Sequence, residues 1–220
     1  MNPAPNIISL REQMRSQFPE AHAKVAPELS LKTGIGCLDA LGLMAGVICE
    51  IVATKGSAGS GLLLVALIES TGEALRRPVA LVDGANAFDP TQVSSAALNR
   101  LLWVRCETPE QAMRASDLLI RDGNIPRVLL DLQLCSEKAI RQIPSQAWHR
   151  LRLLAEKNGV TLCTFTSFAT VPCARSRLIL QQQYPLESLD ESPATLLENL
   201  EGVSSKRGNG FHAQESVLAG

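Results

Sequence analysis

Apolar positions along this chain fall into short unbroken runs, separated by longer stretches with helical spacing. Residues 47–54 (VICEIVAT), 79–83 (VALVD), 101–105 (LLWVR), 127–132 (RVLLDL), 160–165 (VTLCTF) and 177–182 (RLILQQ) have strand length and little alternation. Between them lie three helical stretches. Residues 62–75 stay apolar for longer than a strand needs and stop near Gly72 and Glu73. Thr108, Pro109 and Gln111 form a helix start, with a cap, a proline at the first helical position and a capping-box partner. Ala112, Ala115, Leu118 and Leu119 follow on one face, and Gly123 ends that helix. Residues 146–157 read as the third helix. Continuous apolar strands that alternate with helices predict an α/β fold: a parallel sheet sandwiched by helices. This core spans residues 31–183. Residues 1–30 are a polar lead-in with a short amphipathic helix at 10–18, stopped near Pro19. Residues 184–220 are polar, acidic and then rich in Gly and Ser, with room for a helical turn or two at 195–200. They predict a flexible C-terminal tail.

Composition narrows the function classes. The chain has 220 residues, a formal net charge of −1 and 4% aromatic residues. Neutrality argues against a strongly cationic nucleic-acid binder, and scarce aromatics argue against a stacking platform for single-stranded bases. The six cysteines, Cys37, Cys49, Cys106, Cys135, Cys163 and Cys173, include no C-x-x-C pair. They read as small buried hydrophobes, with no metal site and no disulfide framework. No signal-peptide pattern opens the sequence, and the longest apolar run, 62–68, is too short for a bilayer. The expected location is cytoplasmic, with no membrane partner.

One segment carries candidate chemistry. Gly56, Ser57, Ala58, Gly59, Ser60 and Gly61 follow a predicted strand and open a predicted helix. That is the setting of a P-loop, G-x-x-x-x-G-K-[ST], in which backbone N–H groups and a helix N-terminus cradle phosphate. The next two positions depart from the pattern. A working P-loop places a lysine on the β- and γ-phosphates and then a hydroxyl on Mg²⁺. Here those positions hold Leu62 and Leu63, which offer neither charge nor donor and are expected to pack inward.

Three further segments resemble the RecA-like P-loop superfamily. Residues 32–50 (KTGIGCLDALGLMAGVICE) resemble the entry to the RecA core, which ends in a strand carrying Glu. Residues 78–90 (PVALVDGANAFDP) are similar to the RecA strand and its acidic turn, and 127–132 to the Walker B strand, with Asp131 at the acidic position. Within the superfamily the likeness runs to the ImuA (SulA-like) group of translesion-synthesis accessory proteins. It is carried by Phe18, Pro19, Glu20 and Ala21 and by residues 80–90 and 117–126.

The resemblance implies a RecA-like core and a role in SOS, DNA-damage-induced translesion synthesis. The implied partners are a Y-family-like polymerase homologue (ImuB type), an error-prone replicative polymerase, and RecA itself. It also implies that the water-activating Glu of the family falls on Ala85. With Leu62, Leu63 and Ala85 at the three catalytic positions, the expected protein is a pseudo-ATPase with no catalytic residues and no cofactor. Gly56 to Gly61 and Asp131 would then be a vestigial nucleotide site. Asp131 also fits a second role, as a local cap at a strand end. The two DNA-contacting loops of RecA correspond to residues 133–145 and to a short 167–174 (SFATVPCA). Lys138, Arg141, Arg150, Arg152, Lys157, Arg175 and Arg177 gather nearby, either as a contact face for phosphates or an acidic protein patch, or as an ordinary solvated surface. Trp148 reads as a core or interface anchor. The alternatives are a residual ATP- and DNA-binding RecA homologue and a SulA-like cell-division inhibitor.

Overall fold

Every residue of strand β1 (Ile48–Ala53) is buried, which excludes it from a sheet edge. In the computed structural model, which describes residues 33, 35–41, 43–70, 77–207 and 213–218, β1 stands inside an eight-stranded sheet. The other strands are β2 (Val79–Asp83), β3 (Leu101–Arg105), β4 (Arg127–Asp131), β5 (Thr161–Thr166), β6 (Ser176–Leu180), β7 (Gly202–Arg207) and β8 (Ala213–Leu218). Their order is β3-β2-β4-β5-β1-β6-β7-β8. The first six strands in that order run parallel, and β7 and β8 are antiparallel. This α/β architecture is consistent with a RecA-like core. The expected N-terminal helix at 10–18 lies outside the described residues.

Both sheet faces are covered, as continuous apolar strands require. On one face Ile51, Leu81, Leu129, Cys163 and Leu178 pack with α1 (Gly36–Leu41) and α2 (Ser60–Glu69), through Leu38, Leu41, Leu63, Leu67 and Ile68. On the other, Ile48, Val82, Val128, Leu130 and Leu162 meet α4 (Pro109–Asp122) and α6 (Ser145–Asn158), through Ala112, Ile120, Trp148, Leu151 and Ala155. Each fully buried large apolar side chain contributes about 1.5–3 kcal/mol relative to exposure. Trp148, 1% exposed, is a core anchor.

Local signals explain the element ends. The Thr108 hydroxyl accepts from Gln111 N–H at 3.3 Å, and Glu107 N–H donates to Gln111 Oε1 at 3.0 Å. Gly123 and Gly159 close α4 and α6 in the left-handed conformation, at φ 74 and 66. Short helices α3 (Ser95–Leu98), α5 (Glu137–Arg141) and α7 (Pro193–Glu198) fill connections.

The flexible tail expected from 184 onward needs correction. Residues 193–198 form α7, and β7 and β8 extend the sheet beyond β6. The strand GVSSKR lacks apolar alternation, so composition reads it as loop. Its order comes from the backbone ladder to β6 and from Leu200, which is 1% exposed and joins the core. Among the described residues no helix is long and apolar enough to cross a membrane.

Candidate functional site

Strand order places a crevice at the carboxyl ends of the strands. The connection leaving β2 runs outward to β3, whereas the one leaving β4 runs the opposite way to β5. Such a reversal opens a gap between neighbouring strand ends in open α/β sheets. Here β2 and β4 end on two acids in register, Asp83 opposite Asp131. The glycine loop leaves the same edge after β1. Strand β5 stands between β1 and β4, which sets those two about 10 Å apart.

The loop keeps part of a phosphate cradle. Ser57 and Gly59 are left-handed, at φ 57 and 84, and Gly59 caps α2. The N–H groups of Ser60, Gly61 and Leu62 open the helix, where no intrahelical acceptor exists. Adding a Cβ at Gly56 or Gly61 meets nothing within 4 Å. At Gly59 the same Cβ would lie 2.7 Å from Leu200 Cδ1 and 3.0 Å from Tyr184 Cε2.

The chain's own C-terminal region therefore covers the loop at Gly59. Tyr184 N–H donates to Ser57 O at 2.9 Å, and its hydroxyl donates to Leu196 O. Glu201 N–H donates to Gln182 Oε1 at 3.1 Å, bracing the same cover. Nothing in the loop sequence signals this, because the covering residues belong to the segment read as tail.

Leu63 is fully buried in the core, as expected, but Leu62 is half-exposed. The helix begins at Ser60, so Leu62 turns partly toward solvent while Leu63 faces β1 and its neighbours. Neither supplies a charge or a hydroxyl.

Asp83 organises the turn that follows it. Its carboxylate accepts from Ala87 N–H and Phe88 N–H, each at 3.0 Å, and from Trp103 Nε1 at 3.3 Å. Ala85 lies within that turn. Gly84 passes close to β4: its N–H donates to Asp131 O at 2.8 Å, and a Cβ there would lie 2.7 Å from that oxygen.

Asp131 accepts from Gln133 N–H at 3.0 Å, which is the local-cap role. Burial raises its pKa from 3.8 to about 6, and the neighbouring Asp83 adds to the rise. Between about pH 4 and pH 6 the folded protein thus holds a proton on Asp131 that the unfolded chain releases. Stability falls as pH rises from about 4 to about 6, and the penalty is complete above that. Asp131→Asn keeps the acceptor and removes the charge. It is expected to gain about 1–3 kcal/mol over the parent at pH 7.5, and nothing below about pH 4, in urea titrations at both values. Equal effects at both pH values would refute the assignment.

The environment of the thiols near this crevice disfavours the thiolate form. Burial raises Cys106, and it pushes Cys135 to about 11 with help from Asp131 and Asp83. Among the described residues no three His, Cys, Asp or Glu side chains are grouped to hold a metal ion.

The expected basic face is not a single set. Lys138 and Arg141 lie on α5, and Arg150, Arg152 and Lys157 on α6. Arg141 pairs with Glu137 at 3.2 Å and stacks 4.1 Å over Phe168; Arg152 pairs with Glu156 at 3.1 Å. Arg150 crosses to Asp117 of α4 at 2.7 Å, tying the two helices. Exposed pairs of this kind each contribute about 0–1 kcal/mol. Lys138, Lys157 and Arg175 are exposed.

Arg177 leaves the set altogether. Its Nε donates to Glu50 Oε2 at 2.6 Å, and its Nη2 donates to Val171 O at 3.1 Å. Glu50 is 0% exposed and also accepts from Thr166 Oγ1, Thr170 N–H and Val171 N–H. The short 167–174 loop is thereby clamped by a buried carboxylate. The signal for this was one acid inside an otherwise apolar strand, VICEIVAT. No family model matches the chain.

Proposed function

We propose that this chain is a non-catalytic RecA-fold accessory protein of damage-induced translesion DNA synthesis, acting through protein contacts. The observation that carries the non-catalytic part is the pair of leucines that follows the glycine loop. Leu200 and Tyr184 fill the side of Gly59. Leu62 and Leu63 stand where a nucleotide site needs an ammonium and a hydroxyl, and Ala85 where the resemblance puts the water-activating acid. A charge-assisted contact contributes about 1.5–3 kcal/mol, so ATP binding is weak or lost. The process and the partner class, a Y-family-like polymerase homologue and an error-prone replicative polymerase, rest on the resemblance to the ImuA group.

Two measurements test this reading. Phosphate release from Mg·ATP is expected at the blank rate. Melting at 1 mM Mg·ADP is expected to gain less than about 0.4 kcal/mol, the limit for a dissociation constant above 1 mM. Hydrolysis that disappears in Gly61→Ala would overturn the pseudo-ATPase assignment, since Gly61 has open space for a methyl group. Co-purification with the two polymerases supports the accessory role. Recovery of a cell-division protein without them would favour the SulA-like alternative.

A further inference from the structure

We propose that the groove between α4 and α6 docks an acidic amphipathic segment of another protein, seated by an apolar anchor and held by arginines. The inference does not rest on the translesion role. The two helices pack on the same face of the sheet and leave an open groove of about 410 Å³ between them. Met113, Leu118, Ala147 and Leu151 form its apolar lining. Leu118 is 63% exposed and stands outside the core cluster that α4 joins through Ala112 and Ile120. It therefore has apolar surface left to cover, and a partner's side chain gains free energy by covering it.

The rim carries more positive charge than it neutralises. Arg114, Asp117, Leu118 and Arg121 recur at helical spacing, so one stripe of α4 presents a leucine and an acid between two arginines. Arg150 of α6 reaches that stripe: its Nε lies 2.7 Å and its Nη2 3.1 Å from oxygens of the Asp117 carboxylate. Arg121 pairs with the same carboxylate. One acid thus serves two guanidiniums. Arg114 lines the groove, is exposed and forms no ion pair among the described residues, not even with Glu110 one turn before it. A guanidinium has five N–H donors in a fork that matches a carboxylate, so this rim has donors to spare.

This excess is why the occupant is an acidic partner. The undescribed parts of the chain do not supply the missing charge. Residues 1–32 hold four cations (Arg11, Arg15, Lys24 and Lys32) against three acids (Glu12, Glu20 and Glu28). Residues 71–76 hold Glu73 and Arg76, and residues 208–212 and 219–220 hold no Asp, Glu, Lys or Arg. A helix with large apolar residues on one face and Asp or Glu beside them meets both features. Its apolar side chain enters beside Leu118 and Leu151, and its carboxylates meet Arg114 and Arg150.

The test is selection of a phage-displayed library of random peptides, about three helical turns long, on the full chain. Enriched peptides are then measured by fluorescence anisotropy, and their contacts by NMR amide shifts. The expected result is enrichment of sequences with Asp or Glu beside apolar residues at i, i+3 or i+4 spacing. Their amide shifts are expected to centre on residues 113–118 and 147–151. Leu118→Ser is expected to weaken such a peptide about tenfold, and Arg114→Glu at least about fivefold, with the melting midpoint unmoved in both. No enrichment, enrichment of peptides without acids, or unchanged affinity in both variants would overturn the proposal. So would nuclear Overhauser contacts, in the free chain, from the Leu118 methyl groups to residues 1–32 or to a second copy, because the groove would already be filled. The sequence bias and the shift map need no variant, so they decide the matter even if Leu118→Ser folds poorly.

Discussion

Arg177→Met is expected to remove about 3–5 kcal/mol of folding stability, seen as a fall in the urea midpoint at unchanged slope. Methionine preserves most of the volume and removes the guanidinium. Glu50, with 0% exposure, is then left as a buried carboxylate facing only neutral donors from Thr166, Thr170 and Val171. Breaking one side of a buried pair is far costlier than removing both, because the residual charge keeps its desolvation penalty. The double variant Glu50→Gln, Arg177→Met is therefore expected to recover most of the loss. If the single variant costs less than about 1 kcal/mol, Arg177 is an ordinary surface residue and the clamp on the 167–174 loop is mis-assigned.

Leu63→Thr restores the hydroxyl of a P-loop, and it is expected to cost about 2–4 kcal/mol. The side chain is fully buried among Leu67, Ile51 and their neighbours, so the change leaves a void and strands a hydroxyl in an apolar cluster. Leu62→Lys, at a half-exposed position, is expected to stay within about 1 kcal/mol, with the lysine stem covering the same surface. The combined variant reads as a complete motif on paper. It is expected to be less stable than the parent and to hydrolyse no ATP, since Ala85 remains where the resemblance puts the water-activating acid. Denaturation and phosphate-release assays on that one protein decide the point: parental stability together with turnover would refute it.

The sheet strands were readable because parallel strands covered by helices on both faces are largely apolar, and six short, mainly apolar runs stand in the sequence. Helix α4 was readable because Thr108, Pro109, Gln111 and Gly123 mark its ends by local chemistry. What failed to show depends on contacts between distant residues. Strands β7 and β8 are specified by a ladder to β6 rather than by their own side chains. Arg150 and Arg177 looked like parts of a positive face because their acids, Asp117 and Glu50, sit on other elements. The glycine loop itself was legible, and its cover was not. Its departure from a phosphate loop was legible at Leu62 and Leu63, whereas the packing of Tyr184 and Leu200 against Gly59 depends on residues more than a hundred positions away.

The central place of β1 also has a meaning in time. It is the first strand of the sheet to be synthesised, yet its neighbours β5 and β6 come after all the others of the parallel set. Glu50 waits for Arg177, 127 residues later in the chain, and for Thr170, 120 residues later. Until those residues leave the ribosome, a strand that is apolar but for one acid has two open edges. Contacts of such high sequence separation slow folding and prolong the exposure of unpaired strand. A nascent chain halted before residue 177 therefore carries its future core as an aggregation-prone segment, and chaperone demand during translation should peak in that interval.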